Sequence, residues 1–139
     1  MIQRKKTEMS CIMDKFVINE DTFVMCSEPV PDLSAEMVTE AIERIETEQE
    51  LADLFAVVDS KAKWVDDDVY DYEVGTAEYQ QAIKATNEWF ALSDKLRDRI
   101  FAILRAEGVF IPETGQIDVL EPFMKRNGYR NGQGWWVKS

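Results

Sequence analysis

Between Thr76 and Gly108 apolar side chains recur at helical spacing: Tyr79, Ile83, Thr86, Trp89, Phe90, Leu96, Ile100, Ile103 and Leu104. Such a run folds as one long helix, opened by the Thr76 cap and stopped by Gly108. Its apolar arc covers about half the circumference, too wide for a surface helix with one neighbour. The arc predicts a central helix packed on two sides, with a bend where Ser93-Asp94 would act as an internal cap. Arg97 falls within the arc and needs a carboxylate partner or a route to water.

Two shorter helices should precede it. Ser34 is placed as an N-cap with Glu36 in the first turn, and Leu33 and Val38 are spaced for a hydrophobic staple. Val38, Ala41, Ile42 and Ile45 then share one face, while Glu36, Glu40 and Glu43 stand opposite. The stripe changes phase at Leu51, Leu54, Phe55 and Val58, where Thr47 and Glu50 form a capping-box pattern. The pattern predicts a break near 46–48 and a second helix to about Asp59.

Short β segments are expected at both ends. Phe16-Val17-Ile18 and Phe23-Val24-Met25 flank a polar bend and read as a hairpin, followed by Pro29 and Pro31. A second hairpin is expected from Val109-Phe110-Ile111, through a turn at Pro112, to Ile117-Asp118-Val119-Leu120. A helical turn over 122–126 and a terminal strand at Gly134-Trp135-Trp136-Val137 would follow, with Asn127-Gly128 and Asn131-Gly132 as turns. The class is α+β: central helices including one long core helix, with short β-hairpins near both termini. Residues 1–12, with Arg4, Lys5 and Lys6, are expected to form a basic N-terminal tail, and 13–139 a single domain.

Composition removes several chemistries. The chain has 139 residues, a formal charge of −11 and no histidine, so histidine bases, Ser–His or Cys–His pairs and histidine metal sites are excluded. No Gly-x-Ser-x-Gly elbow or Walker lysine is present. No apolar run reaches the length of a membrane span or a signal-peptide core. Two cysteines, Cys11 and Cys26, are too few for a disulfide framework and fit reduced thiols in a cytoplasmic protein. The stretch from Lys63 to Glu73, with Asp66, Asp67, Asp68 and Asp71, invites a Ca²⁺ or Mg²⁺ reading. It fails the EF-hand test: a loop from Asp66 would need glycine at 71 and glutamate at 77, where Asp71 and Ala77 stand. No metal, cofactor or catalytic residue is assigned, and the protein is not expected to be an enzyme. A sugar-stacking role for Trp135-Trp136 with paired carboxylates has no pair of acids at a fixed separation.

The charge itself is unevenly placed. Residues 20–78 carry eighteen acidic side chains against Arg44, Lys61 and Lys63, net −15, whereas the blocks on either side carry +2 each. This exceeds the net charge of about 2–8 that keeps a small domain soluble. Glu36, Glu40, Glu43 and Glu46, with Glu48 and Glu50 past the break, would space their carboxylates over about 21 Å at 1.5 Å rise. That density approaches the phosphates of one nucleic-acid strand. Direct binding to DNA or to anionic membranes is disfavoured by the same charge.

The acid block and the missing catalytic residues give a profile that resembles the anti-CRISPR proteins, small acidic inhibitors of phages and mobile elements. The resemblance is one of composition, without an aligned motif. It implies an inhibitor that occupies the basic nucleic-acid groove of a nuclease, with a CRISPR effector nuclease as the particular partner. Glu36, Glu40, Glu43, Glu46, Glu50, Asp66, Asp67, Asp68 and Asp71 would then face the partner. The alternative is a non-enzymatic accessory module docking through the aromatic C-terminus, where Trp135 and Trp136 lie.

Overall fold

The computed structural model describes residues 33–112, 119–132 and 135–138. Within them four α-helices, α1 (Ala35–Glu43), α2 (Glu48–Asp68), α3 (Ala77–Ala106) and α4 (Leu120–Arg126), precede a hairpin of β1 (Tyr129–Gly132) and β2 (Trp135–Lys138). A short 3-10 turn, Val69–Asp71, extends α2. The described architecture is mostly helical, with one small antiparallel two-stranded hairpin near the C-terminus. The hairpin expected at 16–25, the basic tail and both cysteines lie outside the described residues.

Caps set the helix ends. Ser34 Oγ accepts from the Met37 amide at 3.2 Å, and Leu33 and Val38 are both buried beside that cap. The break before α2 falls where the phase change placed it. Thr47 Oγ1 accepts from the Glu50 amide at 3.1 Å, and its hydroxyl donates to Glu50 Oε1 at 2.9 Å. Thr76 Oγ1 opens α3 by accepting from the Tyr79 amide at 3.2 Å. At its far end, Val109 N donates to Leu104 O and Gly108 N to Arg105 O. This is a Schellman closure, and it needs the positive φ of 87° that Gly108 supplies.

The central helix is α2, not α3. Leu51, Ala52, Leu54, Phe55, Ala56, Val57 and Val58 are almost consecutive and all buried. No single apolar stripe could do this; a helix apolar nearly all round must be enclosed. α3 supplies the most extensive cover, with α1, α4 and the hairpin closing the remainder. Asp59 meets Ser93, and Lys61 meets Trp89, so α2 and α3 run antiparallel. α3 is unbroken through Ser93-Asp94. Ser93 is buried and donates to Asp59 Oδ1 at 3.3 Å instead of capping. Arg97 pairs with Asp94 on the same helix.

Two further expectations are corrected. α2 runs to Asp68 and not to about Asp59, because Ala62, Val65 and Val69 continue its inward face at helical spacing. Asp66, Asp67 and Asp68 are therefore the last turn of a helix. The second hairpin does not form: Val109–Pro112 is not strand, 113–118 lies outside the described residues, and Leu120 starts α4. Leu120, Phe123 and Met124 are all buried, and their i, i+3, i+4 spacing selects helix over strand. Pro122 sits in the first turn, where its missing N–H costs nothing. The terminal strand does form. Its partner is β1, with Tyr129 opposite Lys138 and Gly132 opposite Trp135, so Asn131-Gly132 is strand and not turn.

Removing the α2 cap tests this arrangement. Thr47→Ala should cost about 0.5–2 kcal/mol, read as a lower midpoint in chemical denaturation at unchanged slope.

Candidate functional site

The acidic residues divide by what they touch. Some are built into the fold, and Arg126 is the clearest organiser. Its guanidinium donates to Glu48 Oε1 at 2.6 Å and Oε2 at 2.9 Å, and to Glu107 Oε1 at 3.0 Å and Oε2 at 2.9 Å. One planar fork thus joins the start of α2, the end of α3 and the end of α4, a geometry that lysine could not reproduce. Asn127 Nδ2 donates to Glu48 Oε2 at 2.8 Å, and Gln49 Nε2 to Asn127 O at 3.0 Å. Tyr129, almost fully buried, donates its hydroxyl to Asp53 Oδ1 at 2.6 Å. The Arg126 guanidinium holds the Glu48 carboxyl below the usual carboxylate range; partial burial opposes this and Asn127 adds to it. Burial first, and the Asp53 carboxylate second, push the Tyr129 hydroxyl well above its ordinary value.

Other acids have no side-chain partner among the described residues. Glu36, Glu40, Glu43 and Glu46 are exposed and have no side-chain hydrogen bond or ion pair among the described residues. Asp66, Asp67 and Asp71 are likewise unpaired among the described residues, with Asp71 in the 3-10 turn. Asp68 does have an interaction. Glu50 is occupied by the Thr47 cap, and Glu48 by Arg126. The row of six carboxylates expected from 36 to 50 is thereby reduced to the four between Glu36 and Glu46.

The end of α2 is electrostatically costly. Asp66, Asp67 and Asp68 lie at the negative pole of the helix, and no basic residue occupies its last turn. Each carboxylate there opposes the helix dipole by about 0.3–1 kcal/mol. Consecutive helical positions also diverge by about 100°, so the triplet does not converge on one ion. Among the described residues no group of three or more His, Cys, Asp or Glu is gathered to hold a metal. The end of α1 differs, because Arg99 reaches across to donate to Ile42 O at 2.8 Å.

The aromatic C-terminus is placed differently from the exposed acids. Trp136 is 3% exposed and belongs to the core, so its ring is withdrawn from any partner; the Trp135 side chain lies outside the described residues. The exposed apolar groups are elsewhere. Tyr70 and Val74 are 83% and 82% exposed at the α2–α3 turn, and Phe110 is 82% exposed after α3. Sequence reasoning also missed Lys61, buried with its Nζ 5.6 Å from the Trp64 ring centroid and 5.9 Å from that of Trp89. The Lys61/Trp64 spacing of three on one helix was the available signal. Arg126 had none, since its carboxylates lie 78 and 19 residues away.

Compared with protein-family models, curated proteins and solved structures, the chain matches none. Among the described residues no helix is long and apolar enough to cross a membrane.

Arg126→Gln should lower stability by about 1–2 kcal/mol, since the pairs are bidentate but roughly two-fifths exposed. Glu48 has a depressed carboxyl pKa in the fold, so its contribution is complete above the unfolded value and disappears as pH falls through the folded one. The difference between wild type and Arg126→Gln, measured by denaturation, should be full at pH 7 and shrink near pH 3.

Proposed function

We propose that this protein is an acidic, non-enzymatic inhibitor that occupies the basic nucleic-acid groove of a nuclease, with the guide or target channel of a CRISPR effector as the specific candidate. The observation that carries the reading is the set of carboxylates at the end of α2. They stand against the helix dipole with no basic residue in the last turn. A local rule broken at a stability cost, with no compensating contact for Asp66 and Asp67 among the described residues, points to use at the surface. The exposed face of α1, with Glu36, Glu40 and Glu43, adds a second anionic strip. Such surfaces steer basic partners and are screened by salt. The cytoplasm is the compartment where this partner would be met.

A second reading is an accessory module that docks through apolar contact. The exposed Tyr70 and Val74 favour the α2–α3 turn for that role over the C-terminus.

The test is charge reversal against a purified CRISPR effector nuclease. Lysine at Glu36, Glu40 and Glu43 together, or at Asp66, Asp67 and Asp71 together, should weaken binding by about tenfold or more at low salt, roughly 1.4 kcal/mol. The fold should hold in both: Glu36, Glu40 and Glu43 are exposed, and reversal at Asp66, Asp67 and Asp71 removes charge that opposes the α2 dipole, so the melting temperature of that variant should not fall. The wild-type protein should compete with guide RNA or target DNA. Unchanged affinity for both reversed variants would refute the mimicry.

A further inference from the structure

A groove of about 540 Å³ lies between α1 and α3. Its walls are strips of single helix faces: Glu36, Thr39 and Glu40 from α1, and Glu88, Ala91, Leu92 and Lys95 from α3. Small side chains at Thr39 and Ala91 leave the space open, and Leu92, 7% exposed, forms an apolar floor. Three carboxylates face one ammonium around the opening. Glu36, Glu40 and Glu88 have no ion pair among the described residues.

We infer that this groove takes a basic amphipathic helix of the partner protein, with an apolar side chain seated on Leu92 and flanking arginines set against Glu36, Glu40 and Glu88. Charge selects this occupant. The acidic rim repels nucleic acid, small anions and a second copy of a chain whose net charge is −11. The apolar floor distinguishes the site from a purely electrostatic surface. Two helix walls accept the ridges of a third helix, whose anchors recur at i, i+3 or i+4, and i+7. The volume is within the range of sites that enclose a ligand group.

The inference deepens the proposed function and rests on it for the identity of the partner. The groove itself is tested with a synthetic helical peptide of about 16 residues, long enough to hold a helix, bearing arginines around a central Leu-x-x-x-Leu pair. Binding to the full chain is read by fluorescence anisotropy. Replacing the peptide leucines with alanine should weaken binding at least tenfold. Ala91→Trp, which fills the groove without changing charge, should do the same, and Thr39→Trp on the opposite wall provides a second block should the first variant not fold. Equal binding by wild type and a folded Trp variant, or by the leucine and alanine peptides, overturns the inference and leaves only charge attraction. Tighter peptide binding after removal of residues 1–12 would assign the groove to the chain's own basic segment and overturn the partner assignment. Peptide that fills the groove while the nuclease ignores the protein supports the groove and refutes the proposed function. A nuclease bound equally by wild type and Ala91→Trp overturns the groove assignment while leaving that function standing.

Discussion

α2 is enclosed on nearly every side from Leu51 to Val58, and the remaining elements are arranged by that fact. Burying a leucine, valine or phenylalanine side chain is worth about 1.5–3 kcal/mol, and Leu51, Leu54, Phe55, Val57 and Val58 all reach near-complete burial. Alanine at positions 52, 56 and 62 thins the same helix, so that its neighbours approach closely. The antiparallel α3 covers one side through Trp89, Leu92, Leu96, Ile100 and Leu104. Phe123, Met124, Tyr129 and Trp136 cover another from far along the chain. The short C-terminal hairpin would be marginal alone. It is held because Tyr129 and Trp136 are part of the α2 envelope.

Polar contacts then fix which way the envelope closes. Arg126 engages Glu48 and Glu107, and Asp53 receives Tyr129 while Lys138 stands 3.6 Å away. The Glu48 and Asp53 contacts join the N-terminal part of α2 to the C-terminal module, and Glu107 ties the end of α3 to the same arginine. Asp59 performs the equivalent task toward α3 by accepting from Ser93, while Lys63 on its own helix pairs with it at 3.1 Å. Glu48, Glu50, Asp53 and Asp59 of the −15 block are therefore structural, and net charge alone overstates the surface available to a partner. Glu40, Glu43 and Glu46, and Asp66 and Asp67 at the end of α2, have no side-chain partner among the described residues.

Legibility followed the range of the interactions. The caps at Ser34, Thr47, Thr76 and Gly108 are local, with donors and acceptors within a few residues, and their patterns were readable from the chain. The centrality of α2 was not, because alanines and small gaps in a stripe conceal enclosure on every side, whereas the long aromatic-rich α3 advertises itself. Leu120 was read as strand because β-branched and apolar neighbours alternate before it; the helical spacing to Phe123 and Met124 was the stronger signal. Individual exposed acids on α1 were legible as a face. Glu50 was legible as occupied through its capping box with Thr47, whereas the occupation of Glu48 by Arg126 and of Asp53 by Tyr129 joins residues 78 and 76 apart and so was invisible.

Two groups of acids without a partner among the described residues, Glu36 to Glu46 and Asp66 with Asp67 at the end of α2, are well separated, and their separation constrains how they act. α2 has 21 residues and so extends about 31 Å, placing Glu46 and Asp67 near its opposite ends. The Debye length at physiological ionic strength is about 8 Å. Each patch therefore presents its own local field, and neither reinforces the other through solvent. A partner that engages both must carry basic surface over a comparable length, as a nucleic-acid channel does and a single basic pocket does not. The groove beside Glu36 and Glu40 belongs to the α1 patch alone. Shape discrimination would come from that patch, with the end of α2 contributing range and orientation.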